Sequence, residues 1–141
     1  MRAVSIGSWF SMLSFKNKRI EKCLLSSLLV DMENMICSMM KYAGVSEFEL
    51  NEKQEIKTLF EQTLSWRYLC YARENKVRAL CKDTSVLYAK KNELIPFETV
   101  KKFVNENKCR LTLIENGEHW LHTSDDLKLV EKWETESLSG N

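Results

Sequence analysis

Only two histidines occur in the 141 residues, and the first, His119, stands in the stretch LTLIENGEHWLHTSDDLKLVEKW. There an apolar alternating run ends in Glu-Asn-Gly, and a polar helix start follows the His-Trp pair. An imidazole titrates near neutral pH, so a histidine on the loop leaving a strand suits proton shuttling. The plainer reading is a loop histidine that merely satisfies a hydrogen bond. A nucleophile able to share a site with it stands near the other end. AVSIGS sets Ser5 between Ala3 and Gly7, a small-x-Ser-x-small pattern. Small flanks suit a sharp strand-to-helix turn, where the serine backbone is strained and its neighbours press close. A helix starting at GSWFSML would aim its N-terminus at the same place and favour developing negative charge.

Such residues need elements to hold them. Three segments read as strands: the nearly continuous apolar run CLLSSLLV (23–30), SVLYAK (85–90), and RLTLIE (110–115), in which Leu111 and Leu113 alternate with polar partners. Helical patterns surround them. Asp31 is placed to cap a helix with an apolar stripe of Met32, Met35, Ile36, Met39, Met40 and Ala43, ended by Gly44. Ser46 and Glu49 have capping-box spacing, and another helix starts near Ser65. Pro96, the single proline, opens a helix with Phe97, Val100, Phe103 and Val104 on one face. Thr123 or Ser124 caps a last helix that turns Leu127, Val130 and Trp133 inward, and His122 falls at its start.

Alternating strands and helices predict an α/β fold with a parallel sheet, in which ligands gather at the carboxyl ends of the strands. His119 follows the last strand, and Asn92 follows the middle one in LYAKKNELIPFETV. Residues 31–79 read as helices without a strand. That is too long for a plain crossover and reads as an inserted helical lid. A methionine stripe at this spacing serves either as core or as the lining of an acyl pocket. The expectation is a single domain over 1–141.

Composition narrows the partners. Lysine and arginine total 21 against 20 acidic residues, a formal net charge of +1, so no single-sign field exists to hold nucleic acid or an anionic membrane. No apolar run is long enough to span a bilayer. Five cysteines without a C-x-x-C, beside only two histidines, argue against zinc and predict buried reduced thiols in a cytoplasmic protein. Neither a metal nor a cofactor is expected.

In order along the chain, AVSIGSWFSMLSF, IEKCLLSSLLVDME, LSWRYLCYAREN, SVLYAKKNELIPFETV and LIENGEHWLH resemble the α/β-hydrolase superfamily, in particular bacterial lid-bearing esterase and serine-peptidase members. The resemblance runs from about residue 3 to 133 and covers their C-terminal portion, from the nucleophile elbow onward. It implies Ser5 as nucleophile, His119 as general base, Asn92 at the acid position and the Ile6 amide as one oxyanion donor. The reaction would be serine hydrolysis of an ester, thioester or amide, with a small acyl substrate.

Two departures from the family pattern bear on activity. Members usually carry aspartate where this chain has Asn92. An amide orients the imidazole, but it risks the wrong tautomer and cannot stabilise imidazolium by charge. The same change in a Ser-His-Asp protease costs about 10⁴-fold. Glu93 and Asp31 are the substitutes within reach in sequence. The family also has about five strands before the elbow, one of whose loops gives a second oxyanion donor worth about 3–4 kcal/mol. On this reading the fold is truncated to about three parallel strands, and the isolated chain is impaired. The strand at 23–30 would then have an open edge, through which an upstream fragment or a second copy could pair. The rival expectation is a non-catalytic interaction module, or a gene remnant, pairing through that edge.

Overall fold

The residues that lead into Ser5 form a strand, β1 (Arg2–Val4), which runs straight into α1 (Ile6–Ser14). After them come β2 (Cys23–Ser26), α2 (Met32–Ala43), α3 (Glu47–Lys53), β3 (Glu55–Lys57), β4 (Thr63–Ser65) and α4 (Trp66–Glu74). The chain continues through β5 (Thr84–Ala89), α5 (Phe97–Asn107), β6 (Arg110–Ile114) and α6 (Ser124–Ser139). The computed structural model describes residues 1–140, which fall into two units. One comprises Met1–Val30 and the chain from Val77 onward, and the other is Asp31–Lys76.

The first unit is built on four parallel strands in the order β1-β2-β5-β6. The strand beyond the expected three is β1, whose Arg2, Ala3 and Val4 register with Leu24, Leu25 and Ser26. A strand of this length shows no periodicity in sequence. With β1 on one side and β5 on the other, β2 is paired along both edges, so the open edge expected along 23–30 is corrected. The edge strands are β6 and β1, and in β1 Val4 is 48% exposed. The expected strand over 23–30 also ends early. Ser27 turns the backbone to φ 46, although Leu28 and Leu29 beyond it stay buried.

All six residues of β5 are buried because both faces of the strand are covered. Leu87 and Ala89 join Leu24, Ile114, Leu121, Val130 and Trp133 in one apolar cluster that seats α6 on the sheet. From the opposite pleat Tyr88 meets Phe97 at the start of α5, with ring centroids 5.2 Å apart, and its hydroxyl donates to the Ile95 carbonyl at 2.7 Å. Val100, Phe103 and Val104 are buried as expected. Leu127 is not, at 56% exposed. Residues spaced by three drift about 120° around a helix over two steps, and the buried stripe of α6 centres on Val130 and Trp133 instead. On the edge strand β6, Ile114 points inward and Leu113 stays partly exposed.

The second unit contains α2, α3, α4 and an antiparallel pair, β3 with β4, in which Ile56 faces Leu64. The expectation of helices alone over this stretch is therefore corrected. The caps follow the sequence. Asp31 accepts from the Asn34 amide, Ser46 from Glu49 and Ser65 from Tyr68, and Gly44 adopts φ 68. Of the α2 stripe, Met32, Ile36 and Met40 are buried, while Met35, Met39 and Ala43 are half-buried. Arg73 on α4 reaches Glu33 on α2 at 2.8 Å and Glu47 on α3, and Lys76 adds a second bond to Glu33. Hydrogen bonds from Lys76 and Arg73 hold the Glu33 carboxyl below its ordinary range, and Arg73 does the same for Glu47.

All five cysteines are free, and Cys23 alone among them is buried. Loss of solvent pushes its thiol up to about 12 and that of the half-buried Cys109 up to about 11. Among the described residues no helix is long and apolar enough to cross a membrane, and no cluster of side chains is arranged to hold a metal ion.

Candidate active site

Ser5 follows β1 directly and adopts φ 50, ψ −129. A non-glycine residue enters such a region at a cost of about 1–3 kcal/mol and remains only where its surroundings over-determine it. Here three backbone bonds do so. The Ser5 N–H donates to the Ser26 carbonyl at 3.0 Å, and the Ser5 carbonyl accepts from Ser8 at 3.0 Å and Leu29 at 3.2 Å. A serine at a helix N-cap ordinarily turns its hydroxyl back onto the first turn, a bond worth about 1 kcal/mol. Ser5 makes no such bond. Its Oγ lies 2.9 Å from Nε2 of His119 instead. The neighbouring Ile6 N–H belongs to the first turn of α1, where the helix itself offers no acceptor.

His119 sits on the loop after β6 and is 6% exposed. Its ring packs edge-on against Trp120, with centroids 4.9 Å apart. Nδ1, on the far side from Ser5, is 3.2 Å from Oδ1 of Asn92. Burial pulls the imidazole below its ordinary value near 6.5, so it is a neutral base at pH 7. The sign of the consequence for stability follows. The unfolded chain takes up this proton first, so the contribution is complete above the ordinary value and declines as pH falls toward the folded one. Urea midpoints should therefore drop as pH falls through the ordinary histidine value near 6.5, and His119→Gln should shrink that drop.

Asn92 follows β5 and is 8% exposed. Its Oδ1 accepts from the backbone N–H of Leu94 at 3.0 Å and of Ile95 at 3.1 Å. A reversed amide would set its NH₂ against these two donors, so the oxygen faces the ring. Nδ1 of His119 must then carry the proton, and the Nε2 lone pair is left for the Ser5 hydroxyl. The risk of a wrong tautomer at an asparagine is removed by the backbone clamp, and only the charge is missing. Asn92 Nδ2 is buried without a hydrogen-bond partner. Glu93 is exposed, and Asp31 accepts from the Asn34 amide as the cap of α2. His122 is exposed, just ahead of the α6 cap at Thr123.

One participant went unread in the sequence. Ser27, directly after β2, is 1% exposed with φ 46. Its Oγ donates to the His119 carbonyl at 2.6 Å, and its N–H donates to the Leu87 carbonyl at 3.0 Å. A polar residue of the site thus lies beyond the carboxyl end of each parallel strand: Ser5 and Ser27 directly after β1 and β2, Asn92 and His119 on the loops after β5 and β6. The adjacent serines within CLLSSLLV were the available signal. An open groove of about 840 Å³, lined by Leu113, Asn116, Asp125 and Lys132 among others, includes none of these four residues.

The two glycines nearest the chemistry differ. At Gly7 an added Cβ would meet nothing within 4 Å, so the expected steric demand for a small residue there is not found. At Gly117 it would fall 2.8 Å from Ile114 Cγ2, 2.9 Å from Leu121 Cδ2 and 3.2 Å from Ala89 Cβ. The Gly117 carbonyl also accepts from Lys91, tying the histidine loop to the asparagine loop. Thermal melts should show Gly117→Ala destabilised by about 1–3 kcal/mol through overpacking. Gly7→Ala should be neutral, or stabilising by up to about 1 kcal/mol.

No family model matches the chain, and no curated protein matches it in sequence. Solved structures do match in shape. Est1E from Butyrivibrio proteoclasticus aligns over 99% of this chain and 60% of its own, at TM-score 0.71 and 17% identity. The mouse alpha/beta hydrolase domain-containing protein 10 aligns over 99% and 61%, at TM-score 0.72 and 11% identity. A structure of Est1E with ferulic acid bound gives TM-score 0.70 at 19% identity, over 99% and 59%. The chain spans about three fifths of the length of these structures. Its parallel sheet and helices share the fold of α/β-hydrolase structures.

Proposed function

We propose that the chain carries the acyl-transfer centre of a serine hydrolase acting on ester, thioester or amide bonds. Ser5 attacks the acyl carbon, His119 takes its proton at Nε2, Asn92 orients the imidazole, and the Ile6 N–H donates to the oxyanion. The observation that carries this reading is the Ser5 hydroxyl. It forgoes a helix cap and meets a buried imidazole whose tautomer is fixed from the far side. The backbone strain at Ser5, held by three bonds, supports the same reading.

A second reading is favoured by a separate observation. The open edge of β1 carries Val4, and Ile6 and Phe10 on α1 are also about half exposed, an apolar margin suited to binding another polypeptide. On that reading the chain is an interaction module without turnover.

Labelling decides between them. A fluorophosphonate exchanges fluoride for the Ser5 oxygen only where the hydroxyl is activated, and the adduct is located by peptide mass spectrometry. Adduct at Ser5 is expected. Intact, folded protein with an unmodified Ser5 would discard the hydrolase reading and leave the interaction module.

A further inference from the structure

The three bond classes open to this site differ in what they ask of the imidazole. In acylation the Oγ–C bond forms and the Ser5 proton passes to Nε2; then the C–X bond breaks with its electron pair going to X. An aryloxide or thiolate leaves as the anion, and the proton on Nε2 is returned to solvent. An alkoxide or an amide nitrogen cannot leave without that proton, so imidazolium must form fully and persist until the bond breaks. Water then attacks the acyl-enzyme and gives its proton to Nε2, which passes it to Oγ as the Oγ–C bond breaks, so Ser5 is regenerated and the carboxylic acid released. A carboxylate beside Nδ1 would support the persistent imidazolium that alkyl esters and amides require.

This site supplies none. The Nδ1 partner is a neutral amide oxygen shared with the N–H groups of Leu94 and Ile95, so it meets the charge developing on the ring with a dipole divided among three donors and not with an anion. Glu93 is turned to solvent. The ring itself is buried, with no opposite charge to offset its desolvation.

Resting on the proposed hydrolase reading, we infer that the site is selective for acyl compounds whose leaving group departs as a stable anion, namely aryl esters and thioesters. Alkyl esters and amides are poor substrates because the clamped Asn92 oxygen gives imidazolium no counter-charge.

The test uses one acyl group throughout: p-nitrophenyl acetate, phenyl acetate, S-phenyl thioacetate, ethyl acetate and acetanilide. kcat/KM is measured for the chain and for Asn92→Asp, because that ratio reports acylation alone. The aryl ester and thioester should acylate Ser5 of the unaltered chain, read as release of their leaving groups, whereas deacylation, in which Oγ itself departs, is common to the whole series. Asn92→Asp should then raise ethyl acetate and acetanilide turnover at least about tenfold more than p-nitrophenyl acetate turnover. An equal gain across the series overturns the selectivity while leaving the hydrolase reading intact. So does an unaltered chain that already handles ethyl acetate as well, relative to phenyl acetate, as the aspartate variant does. If neither protein turns over any substrate and neither takes a fluorophosphonate at Ser5, the hydrolase reading falls and this inference falls with it.

Discussion

Ser5→Ala should remove fluorophosphonate labelling and lower ester turnover to the buffer background, while melting within about 2 °C of the unaltered chain. Loss of a triad serine costs about 10⁶-fold in kcat, so no residual activity should be measurable. The small thermal effect is the informative half. At most helix N-caps, serine to alanine removes a stabilising bond, but the Ser5 hydroxyl makes none to α1. Alanine also suffers the same φ 50 strain as serine, and the three backbone bonds at this position do not involve the side chain. A variant that melts far lower would mean that the hydroxyl is structural, and the catalytic reading would lose its main support.

Asn92→Asp is expected to raise kcat/KM for an alkyl ester by about 10–100-fold, equivalent to about 1.4–2.7 kcal/mol of added charge stabilisation. The expected gain is smaller than the roughly 10⁴-fold known for the reverse change in a serine protease, where the amide imposed the wrong tautomer. Here the tautomer is already correct, because Leu94 and Ile95 present their N–H groups to the side-chain oxygen. The same two donors and the Nδ1 proton would receive a carboxylate oxygen without rearrangement. The pH profile should move with the rate. His119 begins below its ordinary value, and a neighbouring anion would raise it. The active species is the neutral imidazole, so the acid limb of kcat/KM should shift to higher pH in the variant. The gain should therefore shrink below about pH 6. A variant with unchanged rate and unchanged acid limb would show that residue 92 does not act on the imidazole.

The residues of the site were legible where chemistry leaves a compositional mark. Ser5 between small neighbours and His119 after an alternating run could be read directly, and the structure brings their side chains within 2.9 Å. Asn92 could be placed after its strand, but the direction of its amide is set by two backbone N–H groups, which no side-chain pattern encodes. Ser27 was hidden for a related reason. Its role is a bond to a main-chain carbonyl, and a serine in an apolar run looks like a tolerated polar residue. In the fold, β2 and β5 announced themselves through burial of both faces, whereas β1, β3 and β4 are three residues each and too short to show a period. Leu127 was misplaced because a stripe spaced strictly by three winds away from the sheet.

On the proposed reading, the backbone cradle at residue 92 separates two properties that most catalytic triads bind together. Main-chain amides settle where the oxygen of residue 92 meets the imidazole, and the electrical character of that oxygen depends on whether an amide or a carboxylate carries it. In the genetic code asparagine and aspartate lie one first-position purine transition apart. A lineage bearing this loop can therefore gain or lose the anion in a single mutational step without rebuilding the scaffold, and the same protein shape can persist through both states.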